Sequence, residues 1–359
     1  MIFTLIYVIE VENLKEIDMT INRRANAVMF GFDFQVSAAI VLMLDNIKEL
    51  QSIKIEGDSE DIELFLNNDE HILAQAKAVQ NSSNDFRNVR QNLKKALQTL
   101  SEAYNKYKSS NKTNIRKVIF ITNSPNPFKD DNSRSAFYGY SRRSFKDIPQ
   151  SAQKIIKTYL REISNPLDLN KFAIYVLPFE TDDEQERYKE VKRSIDDFIG
   201  DLNIQDYPGL GKQLMPIWLN NLFQNGTKDN NTIRLKKEDI VWPIIVLVTD
   251  ISNKENMLED LDDGLQEEIK QQYHQLIDSM CERLEFFTRI LSDFQNFKNN
   301  KNETNIVQGF INHSWRSYLQ YLDKTELNLE VKSILIKLIL SNVIHRRFRI
   351  DKIKQGAGL

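Results

Sequence analysis

The sequence predicts an α/β N-terminal domain followed by a mainly α-helical C-terminal module. Three observations carry that reading. Over about the first 125 residues, strand-like and helix-like periodicities follow one another in the order α-β-β-β-α-β. Near residues 180–185 the pattern changes to long amphipathic stripes. Glycine and proline are scarce, 11 and 8 among 359 residues, which suits helices joined by short polar loops. The expected domains are residues 1–182 and 183–359.

The elements follow in order. "DFQVSAAIVLMLDNIKEL" (Asp33–Leu50) is apolar nearly all round in its middle and predicts a buried helix, with Gly31 just before it and Asp33 as N-cap. Short strands are expected near Ser52–Glu56, Asp61–Leu66 and Ile72–Val79. Phe86, Val89, Leu93, Leu97, Leu100, Tyr104 and Tyr107 recur at three- and four-residue steps, one face of a long helix for which Ser82, Ser83 and Asn84 offer caps. "RKVIFITNS" (Arg116–Ser124) reads as a buried strand ended by a proline-containing loop. Beyond a polar, aromatic and basic loop, a helix around Ile148–Ile163 leads to "KFAIYVLPF" (Lys171–Phe179), a strand expected to join the same sheet. The remainder reads as helices, except that "EDIVWPIIVLVTD" fits either a strand or a buried helix, with Pro243 against a central strand.

The formal net charge is −3, so a polyanion partner would have to meet a local patch. One cysteine, Cys281, excludes a disulfide framework and a cysteine-cluster metal site within the chain and fits a reducing cytoplasm. The opening "MIFTLIYVIEVENLKEID" has an apolar run of about nine residues, against the ~20 of a membrane helix. With no basic residue before it and no small-residue cleavage site after it, it reads as a strand rather than a signal, and Met19 offers an alternative start. No other run is expected to span a bilayer.

The chemistry lies in one hairpin. Period-2 alternation puts Gln75 and Lys77 on one face of their strand and Ile72, Ala74 and Ala76 on the other. In the preceding strand Ile62, Leu64 and Leu66 oppose Asp61 and Glu63. Burying both apolar faces together requires even positions to pair with even and odd with odd, for example Leu66 opposite Ile72. Continuing that register sets Asp61 across from Lys77 and Glu63 across from Gln75. An acid, an amide and a lysine on one face suit phosphodiester hydrolysis, in which a water must be deprotonated and phosphorane charge neutralised. Mg²⁺ or Mn²⁺ would take Asp61, the Gln75 side-chain carbonyl and the Ala76 backbone carbonyl as ligands, leaving Lys77 to orient water or stabilise phosphate.

Asp61, a hairpin, then "QAK" (Gln75–Lys77) resembles the D…(D/E/Q)xK core of the restriction-endonuclease-like PD-(D/E)xK nucleases, whose fold has the order α-β-β-β-α-β. More narrowly, "GFDFQ" (Gly31–Gln35), "IEGDSEDIEL" (Ile55–Leu64) and "QAKAVQ" resemble the double-strand DNA nuclease effector domain of bacterial anti-phage defence found in CD-NTase-associated systems and beside HerA-type ATPases. The resemblance covers the first third to half of the chain. It implies a mixed sheet and Mg²⁺-dependent DNA cleavage, with Asp61, Gln75 and Lys77 as the active set and Gln35 lining the site. Glu56 and Glu60 match the acidic stretch before the family aspartate, and either would assist the metal. Glutamine in place of the commoner second carboxylate removes a negative charge, which Glu56, Glu60 or Glu63 would have to restore.

The plain alternative for Asp61 and Lys77 is a cross-strand ion pair on a solvated face. Arg87 and Arg90 on the long helix, and Arg142 and Arg143 in "SRSAFYGYSRRSFK", are candidates for DNA phosphates, with a solvated helix face or a surface loop as the alternative. "YPGLGKQ" lacks the glycine and hydroxyl of a phosphate loop, and His71, His274, His313 and His345 are scattered. The leading expectation is a cytoplasmic endonuclease controlled by self-assembly or by a partner ATPase or sensor. A non-catalytic scaffold that keeps the nuclease fold is the rival.

Overall fold

The structure, a computed structural model, describes residues 26–82, 86–109, 114–204, 207, 209–249, 263–279, 283–300, 305–323 and 325–359. The strand expected within residues 1–18 and the candidate caps Ser83 and Asn84 lie outside them. The chain divides into two compact units, Met1–Phe198 with Met215–Lys237, and Ile199–Leu214 with Glu238–Leu359. This differs from the expected boundary at 182/183. The first unit takes back the later segment because Leu235–Lys236 pairs with the strand Leu50–Ile55, and the Asn225 Oδ1 accepts from the Ile55 amide at 3.0 Å.

The first unit opens with α1, Asn26–Asp45. It begins earlier than expected, so Asp33 is not an N-cap but lies inside the helix, where its carboxylate accepts from the Tyr188 hydroxyl at 2.9 and 3.1 Å. Contrary to expectation, α1 is long and apolar enough to cross a membrane. Its Phe34, Ala39, Ile40 and Met43 are fully buried, as in a core helix.

Three antiparallel strands follow, β1 (Leu50–Ile55), β2 (Ile62–Leu66) and β3 (Glu70–Lys77). Helix α2 (Val89–Ser109) crosses over to β4 (Asn114–Thr122), which pairs parallel with β3. The observed order through β4 is thus α-β-β-β-α-β, as the periodicities require. The segment read as a loop contains β5 (Ser141–Ser144), and after α3 (Gln150–Leu160) comes β6 (Phe172–Val176). Strand β6 pairs parallel with β4, and β5 pairs antiparallel with β6. With β7 (Leu235–Lys236) the mixed sheet has seven strands in the order β5-β6-β4-β3-β2-β1-β7.

The odd-numbered face of β3 is not solvated. Leu73 joins Val118 and Phe120 of β4 and Ile174 of β6 in a core closed by Leu93, Leu97 and Leu100 of α2 and Ile156 of α3. The polar residues of β3 therefore share a face with buried leucines, and α2 overhangs them.

Helices α4 (Lys189–Asp201) and α5 (Leu210–Gly226) follow, each with residues in both units. The second unit otherwise comprises α6 (Lys237–Val248), α7 (Asp263–Ser279), α8 (Arg283–Asn300), α9 (Ile306–Ser314), a 3₁₀ segment Trp315–Leu322 and α10 (Leu329–Ala357). The ambiguous "EDIVWPIIVLVTD" is largely helical, with Pro243 inside α6. The 29-residue α10 starts at an Asn328 cap whose side chain accepts from the Val331 amide at 2.9 Å. It ends at Gly358, whose φ of +72° favours glycine. Its Leu335, Ile339 and Val343 are fully buried.

Candidate active site

The geometry starts with unequal strand lengths. Strand β2 has five residues and β3 eight, so β3 runs past the end of its antiparallel partner. The observed register pairs Leu64 with Ile72 and Ile62 with Ala74. It is displaced by two residues from the expected one, because Asn67–Asp69 make a 3₁₀ turn with left-handed Asn68 and Asp69. A shift of two preserves parity, so the acid, amide and lysine still share a face. Where the ladder stops, the Ala76 amide would be left without a backbone partner. The Asp61 Oδ2 takes it at 2.9 Å and also accepts from Gln75 Nε2, while Lys77 Nζ lies 3.6 Å away.

Asp61 is thus the convergence point. Its own backbone is fixed from both sides: Gln35 Nε2 of α1 donates to its carbonyl at 2.8 Å, and so does the Glu56 amide at 2.9 Å. Gln35 therefore positions the aspartate through its backbone. Burial raises the Asp61 pKa, with Lys77 and then the Ala76 and Gln75 hydrogen bonds opposing it. Lys77 keeps 37% of its side chain exposed, an ammonium reachable from solvent.

The three glutamates flanking Asp61 part company. Glu56 is exposed, with a φ of +51°, and is not the acid the fold brings to Asp61. Glu63 holds the loop together: its Oε1 accepts from the Ser59 and Glu60 amides at 2.9 and 3.2 Å, and its Oε2 from the Tyr107 hydroxyl at 3.0 Å. Gly57 makes room for it, since a Cβ there would stand 2.5 Å from the Glu63 Cδ. Neither Glu63 oxygen contacts Gln75, as the displaced register requires.

Glu60 is different in kind. It is 5% exposed, and its carboxylate oxygens make no well-formed hydrogen bond, the Asp61 backbone being a weak neighbour that favours the charged form. Burial, reinforced by the Asp61 charge, pushes its pKa up to about 9, with Lys77 pulling the other way. A buried carboxyl so weakly satisfied costs folding free energy and invites a cation.

Among the described residues no three His, Cys, Asp or Glu side chains group closely enough to hold a metal by themselves. A divalent ion here would need the two carboxylates of Glu60 and Asp61 together with amide or backbone oxygens. That donor set suits Mg²⁺, which is held by one or two carboxylates and keeps several waters. The Ala76 contact present is through its N–H rather than its carbonyl, and the Gln75 Oε1 accepts from Thr99 Oγ1 of α2 at 2.7 Å.

The candidate DNA arginines are engaged within the chain. Arg90 donates to the Phe128 and Lys129 carbonyls at 2.7 and 3.3 Å. Arg142 pairs with Asp45 at 2.7 Å, and Arg143 donates to the Ala136 carbonyl at 3.1 Å. Arg87 is exposed. The aromatic neighbours also divide, Phe137 being fully buried and Tyr138 90% exposed. Thr99 and Tyr107 carry no local signal as site neighbours, since only the packing of α2 over β3 reveals them. Lys54, a buried lysine on β1, is likewise unmarked by its local sequence, and its Nζ donates to the Asn225 and Lys228 carbonyls at 2.8 and 3.3 Å.

No protein-family model matches the chain, and no curated protein matches it. Among solved structures it is similar to the Acinetobacter baumannii Cap4 SAVED/CARF-domain containing receptor with the cyclic trinucleotide 2'3'3'-cAAA. There the identity is 15% and the TM-score 0.34, over 62% of this chain and 46% of that one. The same receptor with 3'3'3'-cAAA gives 14% identity and a TM-score of 0.35, over 62% and 45%. The chain spans less than half the length of those solved chains. Likeness at this level assigns neither activity nor ligand, and the functional reading rests on the side chains above.

Proposed function

We propose that the protein is a Mg²⁺- or Mn²⁺-dependent endonuclease whose substrate is double-stranded DNA. The observation that carries this reading is the convergence of the Asp61 carboxylate, Gln75 and Lys77, with the buried, poorly satisfied Glu60 carboxyl next to them on the loop that delivers Asp61. Asp61 and Glu60 would hold the ion, with the Gln75 carbonyl and the Ala76 backbone oxygen as neutral donors. When bound, the ion supplies an acidified water and a counter-charge for the phosphoryl oxygens. Lys77, half-exposed at the site, contributes a positive charge to the phosphate as negative charge develops. Gln35 holds the Asp61 backbone in place, and Glu63 with Tyr107 keeps the β1–β2 loop in the conformation that buries Glu60.

The finer fold assignment, the restriction-endonuclease-like class, belongs to this proposal. It is supported by the α-β-β-β-α-β order and the placement of Asp61 and Gln75–Lys77. A role in bacterial anti-phage defence, a cytoplasmic location, and control by self-assembly or by a partner ATPase or sensor come from the sequence resemblance and are proposed with it.

The test is plasmid cleavage by the purified protein in Mg²⁺ or Mn²⁺, alone and with its neighbouring gene product. Cleavage that disappears in Asp61→Asn and Lys77→Ala while DNA binding persists supports the enzyme. Binding without cleavage in the wild type under every condition would favour the non-catalytic scaffold. Cleavage of RNA rather than DNA would correct the substrate.

A further inference from the structure

We infer that Thr99 is a positioning residue for Gln75, able to hold the Gln75 amide in either of two orientations and thereby to let it exchange a hydrogen bond for a cation. The inference deepens the metal-site reading and rests on it. In the present arrangement Gln75 Nε2 donates to Asp61 Oδ2 and its Oε1 accepts from Thr99 Oγ1 at 2.7 Å. An amide nitrogen has no lone pair for a cation, so Gln75 can serve as a ligand only after its amide turns over and presents Oε1 on the Asp61 side. That rotation points Nε2 at Thr99.

A hydroxyl suits both states, since it carries one donor and two acceptor lone pairs. Thr99 Oγ1 also stands 3.2 Å from the Ala96 carbonyl one helical turn back. It can therefore accept from Nε2 while sending its own hydrogen to Ala96, without moving an atom heavier than hydrogen. Half-buried on α2, Thr99 sits over β3 because Leu93, Leu97 and Leu100 seat the helix there. The two orientations do not gain equally from it. A cation on Oε1 polarises the amide and makes Nε2 the stronger donor, so the Thr99 bond is worth more in the metal-bound orientation.

The experiment is Mn²⁺ titration of the intact protein by isothermal calorimetry, comparing wild type with Thr99→Val, Thr99→Ser and Asp61→Asn. Removing an outer partner of a ligand typically costs roughly ten- to a hundredfold in metal affinity. Because the metal-free state also loses a bond here, the expected loss in Thr99→Val is nearer five- to tenfold, with Thr99→Ser within about twofold of wild type. Melting in EDTA checks that all three variants fold, and Thr99→Ala serves if Thr99→Val does not. Equal affinities for wild type and Thr99→Val, with Asp61→Asn no longer binding, would overturn the role of Thr99 and leave the metal site standing. Absence of Mn²⁺ binding in the wild type would overturn both.

Discussion

Glu60→Met should make the metal-free protein more stable while abolishing most of its response to Mg²⁺. Methionine nearly matches glutamate in length, so the substitution removes a buried carboxyl that lacks a well-formed hydrogen bond without opening a large cavity. Leaving a buried polar group unsatisfied costs about 1–3 kcal/mol. Replacing such a group by an apolar one should recover about 2 kcal/mol, a rise in Tm of roughly 4–8 °C for a domain of this size. The wild type, in contrast, should gain from the ion. A ligand at a hundred times its Kd stabilises by about 2.7 kcal/mol, whereas the variant, with one of its two carboxylates gone, should gain little. Thermal melting by circular dichroism in EDTA and in excess Mg²⁺ reads both arms. A variant that melts below the wild type in EDTA, or that keeps the full Mg²⁺ shift, would refute the reasoning.

Glu63→Ala should cost about 2–4 kcal/mol, since the Ser59 and Glu60 amides and the Tyr107 hydroxyl all lose their acceptor, while Glu63→Gln should cost far less; urea midpoints compare the two. The buried His71 ring, packed against Phe65 and Tyr107, has its pKa lowered to about 4 by burial and by the Arg234 charge. Its folded form binds fewer protons than the unfolded chain, so the stability it contributes is complete above pH 6.5. That stability is lost as pH falls toward 4, about 2 kcal/mol of it by pH 5. Urea unfolding at pH 7 and pH 5 should show this loss in the wild type and not in His71→Phe; equal losses in the two would refute the assignment.

Much of the site was legible because side-chain parity in a strand depends only on counting. Gln75 and Lys77 had to share a face, and burying Ile62 and Leu64 with Ile72 and Ala74 had to bring Asp61 to that face. The register itself was not legible, because it turns on two left-handed residues, Asn68 and Asp69, in a turn whose sequence admits other pairings. Nothing local separates Glu60 from Glu56 and Glu63. Their different fates follow from Tyr107 on α2 capturing Glu63 and from the hairpin bonds of Glu56 and Gly57 to residues 60 and 61. Strand β5 escaped notice because "SRRS" has no apolar alternation; its place at the sheet edge comes from backbone pairing with β6. Asp33 carries the chemistry of a helix cap but lies inside α1, where Tyr188, more than 150 positions away, supplies the partner. For Glu63, β5 and Asp33 the missing information is a long-range contact rather than a weak local signal.

The central claim is that the hairpin and the preceding loop gather Glu60, Asp61, Gln75 and Lys77 around one divalent ion. Anomalous diffraction from crystals soaked in Mn²⁺ tests it most directly. A single strong peak at bonding distance from the Asp61 and Glu60 carboxylates, lost in Asp61→Asn, is the predicted result. Strong Mn²⁺ density elsewhere on the chain, with none at Asp61, would contradict it.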